Sequence, residues 1–287
     1  MSSGQQQIVD KALNGLPRVA LNTTRASLIS RKVRGLGRNA LVLACQIAVL
    51  AILLVSWELA TAKSTLSAFL FGSPSAIWGF LVEMWKNGSL FTDTKATALE
   101  TLLGFIVGNV LGVLIGLALW YSRFLSQVVQ PFIVALGSIP IIALAPICII
   151  WFGTGLLSKV AMATLSVVVV ALITAYKGAM SVDADQINLM RTLGASKRHI
   201  FRKLIVPASL VDIFAGLKLT VGFALIGAII GEFMSSSEGL GHAIFNAGSL
   251  YIIPKVFAAL VVTIALALCL TYVVGKIEKM LTPWRTH

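Results

Sequence analysis

Charged residues are scarce in this sequence. Asp, Glu, Lys and Arg make up 12% of its 287 residues, against roughly 25% in ordinary soluble domains. Hydrophobic residues account for 57%, and the mean hydropathy is +0.92. A chain this apolar cannot cover a water-facing surface with polar groups, which excludes a soluble globular domain. The composition therefore predicts a polytopic membrane protein.

Side chains that bind metals or act as nucleophiles are also few. Three cysteines lie inside apolar runs and three histidines are scattered: Cys45, Cys148, Cys269, His199, His242 and His287. Their positions indicate inert buried thiols and surface imidazoles rather than a disulfide framework, a metal site or a catalytic triad. The sequence has no Walker-type phosphate loop, so it lacks that kind of ATP site. We expect no catalytic residue, no metal and no cofactor in this chain, and hence no enzyme activity of its own.

Acidic residues are outnumbered by basic ones, 11 to 23, which leaves a net charge of +12. Aromatic residues that stack on bases are not interleaved with the basic ones, so nucleic acid is not an expected partner. The basic residues flank apolar segments instead, as the topology signals of membrane proteins do.

Six apolar segments are long enough to cross a bilayer as helices. They lie at about residues 39–60, 98–122, 129–152, 159–177, 211–234 and 255–275. Together they form a membrane domain of residues 39–276, between a basic tail of residues 1–38 and a short tail of residues 277–287. In the fifth span, Lys218 and Glu232 lie near the ends, so Lys218 can snorkel inward and Glu232 can reach outward.

The lysines and arginines are distributed unequally over the two sides of these spans. Seventeen fall on the side that holds both termini, five fall on the opposite side, and Lys218 lies within a span. Because cytoplasmic loops carry the excess of positive charge, we expect both termini in the cytoplasm. The basic N-terminal tail either lies on anionic headgroups or is disordered.

Glycine recurs every four residues in the second span, at Gly104, Gly108, Gly112 and Gly116. The four residues share one helix face and let two backbones approach each other closely. This pattern favours packing against a neighbouring helix over the lining of a channel.

Proline interrupts the third span. Pro131 opens its helix, and Phe152–Gly155 turns the chain out of the membrane. Pro140 and Pro146 lie between them, and a broken backbone at membrane depth is tolerated where it lines a polar cavity or is buried in protein. This segment is therefore a candidate wall of a translocation pathway, with a merely kinked helix as the alternative. Glu232 is the third pathway candidate, because it borders the outer mouth.

The segment Asp183–Pro207, between the fourth and fifth spans, is polar and basic. Asp183 can cap a first short helix, and Gly194 can adopt the left-handed conformation that ends it. Ser196 can cap a second helix, which Pro207 stops. The spacing predicts two short amphipathic helices joined by a tight elbow.

This segment resembles the cytoplasmic Glu-Ala-Ala (EAA) loop of permease subunits of ATP-binding-cassette importers. In that motif nine residues separate a glycine from an Ile-x-Leu-Pro sequence, and here nine residues follow Gly194 before Leu204–Pro207. Asn188–Met190 stands in place of the Glu-Ala-Ala. Five further stretches are similar to nitrate-, sulfonate- and taurine-type permeases: Trp151–Gly155, Arg191–Ser196, Phe214–Lys218, Glu238–Gly241 and Pro283–Arg285.

The resemblance implies an all-α type I importer permease fold, with six transmembrane helices and a cytoplasmic coupling loop, in a bacterial inner membrane. It implies a homodimer, two separate ATPase subunits that bind ATP and Mg²⁺, and an extracytoplasmic solute-binding protein. It assigns eight residues to the coupling with the ATPase: Asn188, Arg191, Thr192, Leu193, Gly194, Ala195, Ser196 and Pro207. The implied function is ATP-driven import of a small solute, an oxyanion such as nitrate, a sulfonate or taurine.

Three other interpretations stay open at this point. An ion-coupled carrier is one, although the acids Glu58, Glu100 and Glu232 sit near span ends rather than deep inside the spans. A non-transporting membrane subunit of a larger complex is another. In the third, the amphipathic pair of helices rests on lipid headgroups instead of docking a partner.

Overall fold

A computed structural model describes residues 41–63 and 69–281 of the chain. The predicted basic tail, residues 1–38, lies outside the described residues. So do residues 282–287, which belong to the predicted second tail.

The chain divides into two units, residues 1–63 and 64–287. In the first unit the structure describes helix α1 (Leu41–Ala62). The helices of the second unit are α2 (Pro74–Lys86), α3 (Ser89–Tyr121), α4 (Arg123–Ser138), α5 (Ala145–Phe152), α6 (Leu156–Met180), α7 (Ala184–Thr192), α8 (Lys197–Ser235), α9 (Leu240–Ser249) and α10 (Ile253–Leu281). A short 3-10 helix, Ile141–Leu144, connects α4 to α5. The described residues contain no strand.

Among the described residues, the helices α1, α3, α6, α8 and α10 are long and apolar enough to cross a membrane. Helix α4 and the segment Ile141–Phe152 form a pair bent by 91°, which makes a sixth span if the pair counts as one. The prediction of an all-α membrane fold is therefore confirmed. The helices also run past the predicted spans. Helix α3 begins at Ser89, before the predicted start at about residue 98, and its added turns include Asp93 and Thr97, which bond to the loop before α9 and to α8.

Pro131 does not open a helix, contrary to the sequence prediction. Helix α4 begins at Arg123, where the Ser122 hydroxyl accepts a hydrogen bond from the Leu125 backbone amide at 3.2 Å. Pro131 lies inside α4. The serine cap starts the helix, and the proline then removes only one backbone donor from it.

Pro207 does not stop the helix that begins at Lys197, which is a second correction. Helix α8 continues to Ser235 as one helix of 39 residues. Its turn Phe201–Ile205 is π-helical, and the Val206 amide donates to the Phe201 carbonyl, five residues back. In this wider turn the backbone hydrogen bonds run to the fifth residue back instead of the fourth. The helix therefore tolerates Pro207, which has no amide hydrogen to donate, without a break.

Helices α3, α6 and α8 pack together as the centre of the second unit. The four predicted glycines of α3 face α6 at backbone contact distance. A Cβ placed on Gly112 would lie 2.5 Å from the carbonyl oxygen of Val168, and one on Gly108 would lie 2.7 Å from Val167 Cβ. The glycine repeat is therefore a helix-packing face, as the spacing predicts.

This contact generates a testable prediction. Gly112→Ala is expected to lower the free energy of unfolding by about 1–3 kcal/mol, because the new methyl meets a backbone carbonyl that cannot move aside. Gly79→Ala in α2 is the matched control, since nothing lies within 4 Å of its Cβ position, and it should be neutral or slightly stabilising. Thermal unfolding in detergent measures both variants. Equal melting temperatures would contradict the packing argument.

Candidate functional site

The elbow segment, residues 183–207, is built from local backbone and side-chain bonds. The Asp183 carboxylate accepts a hydrogen bond from the Asp185 amide at 2.9 Å, which caps α7. Gly194 has a φ of +79°, in the left-handed region, and follows the C-terminal end of the same helix. Its amide donates to the Arg191 carbonyl and the Ala195 amide donates to the Met190 carbonyl, both at 2.9 Å. These paired bonds are a Schellman motif, so the predicted cap and glycine elbow are confirmed.

The start of α8 anchors the elbow segment to the ends of α3 and α6. Ser196 caps α8 by accepting from the His199 amide at 3.3 Å. Ile200 and Ile205 are buried in a cluster that includes Ala179 of α6. The ring of Phe201 stacks on Trp120 of α3, with 5.5 Å between the ring centroids.

A lysine side chain adds a hydrogen bond and a cation–π contact to this anchor. The Lys197 ammonium donates to the Tyr121 carbonyl at 2.6 Å and lies 4.7 Å from the centroid of the Tyr121 ring. Lys197 therefore joins the elbow segment to α3 as well as to α8.

The apex of the elbow segment is exposed and partly apolar. Leu189 of α7 is 61% exposed, and Leu193, which follows the last residue of α7, is 77% exposed. Six of the eight predicted coupling residues are exposed around this apex: Asn188, Arg191, Thr192, Leu193, Gly194 and Ser196. Ala195 is half-buried against the anchor cluster. The eighth, Pro207, is not brought to the apex, because it lies further along α8.

The third span is a true break rather than a kink. Helix α4 ends at Ser138, and Pro140 precedes the 3-10 helix Ile141–Leu144. Pro146 lies in the first turn of α5, where a proline suits the helix start. Exposed side chains follow on α5, with Ile150 at 79% and its neighbour Trp151 at 74%. The pathway role of Pro140 and Pro146 stays a prediction, now on a segment that presents an open apolar surface.

Glu232 does not reach outward, which corrects the sequence prediction. Its side chain is fully buried. One carboxylate oxygen accepts from the Thr97 hydroxyl at 2.6 Å, and the other accepts from the Gly241 amide at 2.5 Å. The Thr97 hydroxyl in turn accepts from the Leu240 amide at 2.8 Å. The carboxylate points inward because these donors lie inside the subunit, and it fixes the loop before α9 to α3.

Two glycines make room for this carboxylate. A Cβ on Gly239 would lie 2.2 Å from Glu232 Oε1, and a Cβ on Gly241 would lie 2.6 Å from Oε2. Gly239 also has a φ of +111°, and its amide donates to the Asp93 carboxylate at 3.0 Å. The Glu-Gly-Leu-Gly sequence at 238–241 is therefore shaped to receive Glu232. The pathway role predicted for Glu232 stays a prediction.

Two further ion pairs were not predicted from the sequence. Glu100 of α3 and Lys159 of α6 are both buried and lie 3.5 Å apart. Lys218 of α8, predicted to snorkel, forms an ion pair with Glu278 of α10. A signal for the first pair was available: Asp93, Thr97 and Glu100 recur at helical spacing, so they share one face of α3.

The sequence pattern of the family described as binding-protein-dependent transport system inner membrane component matches residues 108–283. The formylaminopyrimidine transport permease protein ThiX of Halalkalibacterium halodurans is 33% identical over 81% of this chain and 92% of its own length. The putative aliphatic sulfonates transport permease protein SsuC of Bacillus subtilis is 28% identical over 82% of this chain and 85% of its own.

The fold has a solved counterpart. An inward-facing structure of the MetNI methionine ABC transporter contains a chain that is 20% identical, with a TM-score of 0.61. The likeness covers 69% of this chain and 97% of that one. At this identity it establishes the fold alone.

The Glu232 network generates a second prediction. Thr97→Val keeps the side-chain shape but removes the hydroxyl that bonds Glu232 and the Leu240 amide. We expect it to lower the free energy of unfolding by about 1–3 kcal/mol and to expose residues 236–239 to protease. Thr92→Val is the control, because the Thr92 hydroxyl is exposed and bonds only weakly to Gly88 at 3.4 Å. An equal loss of stability in both variants would contradict the proposed role of Thr97.

Proposed function

The chain belongs to the family of binding-protein-dependent transport system inner membrane components, as the permease subunit of an ABC importer, and we propose that a separate ATPase subunit drives it through the elbow segment. The observation that carries this proposal is the exposed apex. Leu189 and Leu193 present apolar surface on a short helix whose end is locked by a Schellman motif. An apolar apex held at a fixed angle is suited to a cleft in a partner protein.

Helix α8 gives the elbow segment a direct mechanical route into the membrane domain. It is continuous over 39 residues, about 58 Å at 1.5 Å per residue. One end starts in the elbow segment at Lys197, and the other carries Glu232 and its loop. A movement of the ATPase at the apex then displaces α8, and the displacement reaches Glu232 and its loop at the other end of the helix.

The proposed assembly has three kinds of partner. Two ATPase subunits bind ATP and Mg²⁺ and contact the apex, where exposed Arg191 and Arg198 can meet acidic groups. A second copy of this chain completes the pathway. An extracytoplasmic solute-binding protein docks on the side opposite the elbow segment. The distribution of Lys and Arg supports placing the elbow segment and both termini in the cytoplasm of a bacterium.

We propose that the solute is a small oxyanion of the sulfonate, taurine or nitrate type. The sequence stretches shared with permeases of that type support this class, as does the similarity to the aliphatic sulfonate permease. The similarity to a formylaminopyrimidine permease makes a small heterocycle the second candidate.

A glycine substitution tests the coupling role. Gly194→Val is expected to leave membrane insertion intact but to lower ATP-dependent uptake about tenfold, because a β-branched residue disfavours the left-handed cap by about 1–2 kcal/mol. ATP hydrolysis and uptake of a labelled sulfonate or taurine are measured together in proteoliposomes with the ATPase and the binding protein. We expect hydrolysis to continue while uptake falls.

Gly194→Asn is the matched control, since asparagine tolerates the left-handed conformation, and it should retain most of the uptake. Normal coupled uptake by Gly194→Val would contradict the coupling role. Uptake by the permease alone under an ion gradient, without ATP, would instead support an ion-coupled carrier.

A further inference from the structure

A cavity of about 540 Å³ lies between α7 and the ends of α3 and α6. Five helices contribute to its lining: Tyr121 ends α3, Arg123 begins α4, Met180 ends α6, Arg191 lies in α7 and Lys197 begins α8. The volume falls within the range of roughly 300–1,000 Å³ that small-molecule sites have. We call this space the elbow cavity.

Helix α7 turns one face toward the elbow cavity. Ala184, Ile187 and Arg191 line the cavity and recur at helical spacing. Leu189 of the exposed apex lies two positions from both Ile187 and Arg191, about 200° around the helix. Asp185 is one turn before Leu189 and shares its side of α7. The elbow cavity and the apex proposed to contact the ATPase therefore lie on different sides of α7.

The charged side chains that line the elbow cavity are all cationic. They are Arg123, Arg191 and Lys197, and each is exposed, so a ligand can reach them. Within the part of the chain that the structure describes, none of the three forms an ion pair. The Lys197 ammonium donates one hydrogen bond to the Tyr121 carbonyl, which leaves two of its three donors for a ligand. The cavity is therefore suited to an anion.

The rest of the lining is largely apolar. Trp120, Val182 and Ile187 line the elbow cavity and also pack against the buried cluster that anchors the elbow segment. A bare inorganic anion would leave this apolar wall uncovered. An anionic group on an apolar body matches both parts of the lining, and a phosphate group suits arginine because the planar guanidinium can bond two of its oxygens.

We propose that the elbow cavity binds a phosphate group attached to an apolar body, and that this phosphate bridges Arg191 of α7 to Arg123 of α4. Two sources have this chemistry. One is an anionic phospholipid, since basic pockets between the cytoplasmic ends of transmembrane helices bind lipid head groups. The other is a soluble organic phosphate. The inference goes beyond the proposed function, because binding requires neither ATP nor a transported solute.

A first experiment tests the lipid source. Native mass spectrometry of the detergent-solubilised transporter, with its ATPase subunits, gives dissociation constants for dioleoylphosphatidylglycerol and for dioleoylphosphatidylcholine, which has the same acyl chains and no net charge. Arg123→Gln is expected to weaken binding of the phosphatidylglycerol about tenfold, because a charge-assisted hydrogen bond is lost. Lys177→Gln is the matched control. It removes an exposed lysine from the last turn of α6 that does not line the cavity, and it should leave both constants unchanged.

A second experiment tests the soluble source. Equilibrium dialysis measures the binding of phenyl phosphate to the same variants in nanodiscs of phosphatidylcholine alone. Binding that Arg123→Gln weakens identifies a phospholipid in the first experiment and a soluble phosphate in the second. Equal dissociation constants for the unmodified chain and Arg123→Gln in both experiments would overturn the proposal.

A steric substitution separates the cavity from the basic surface around it. Ala184→Trp fills the elbow cavity and retains all three cations, so we expect it to weaken binding of the identified probe about tenfold or more. Gln186→Trp, exposed on the same helix and outside the lining, is the control and should bind normally. Full binding by Ala184→Trp would overturn the proposal. Size-exclusion chromatography shows whether the variant is folded, and Ala184→Leu replaces it if it is not.

Hydrogen exchange tests the bridge between the two arginines. The bound probe is expected to slow amide exchange in residues 184–192, because the phosphate holds α7 against the start of α4. Arg191→Gln should remove this protection. Exchange in α7 that does not change when the probe binds would overturn the bridge. None of these measurements uses ATP or uptake, so failure of this inference is distinguishable from failure of the proposed function.

Discussion

The close contact between α3 and α6 is the constraint on which the other features depend. Glycines on α3 remove the side chains that would hold the two helices apart, and a Cβ on Gly116 would lie only 2.5 Å from the Leu172 carbonyl oxygen. At this separation, polar groups on α3 come within bonding distance of α6 and of α8. The burial of Thr97 and Glu100 is a consequence of that backbone approach.

Two pairs of polar side chains inside the second unit join different helices. Glu100 pairs with Lys159, and the Thr220 hydroxyl donates to the Asn109 side-chain carbonyl at 3.0 Å. A bilayer offers no water to such groups, so a partner within the protein offsets the cost of burying them. These pairs fix the relative rotation of the helices, which apolar contacts alone leave less defined.

Features governed by local chemistry were predictable from the sequence, and features governed by distant partners were not. The caps at Asp183 and Ser196 and the left-handed Gly194 follow from bonds within a few residues. The inward turn of Glu232 depends on Thr97, 135 residues away in the chain. The continuation of α8 through Pro207 was not predictable from residue type, because the π-helical turn before it relieves the usual effect of proline as a helix stop.

That π-helical turn has a consequence for helical phase. From Ile205 onward, buried residues of α8 recur every three or four positions, at Ser209, Ile213, Gly216 and Thr220, but Ile200 and Ile205 are five positions apart. One extra residue in a turn rotates everything beyond it by about 100°. The turn thus changes which side of α8 is buried. Before it, the buried side packs against the end of α3, and after it, a side rotated about the helix axis packs inside the membrane domain. Substitutions on one of these two sides can therefore be made without changing the residues of the other, although both lie on one continuous helix.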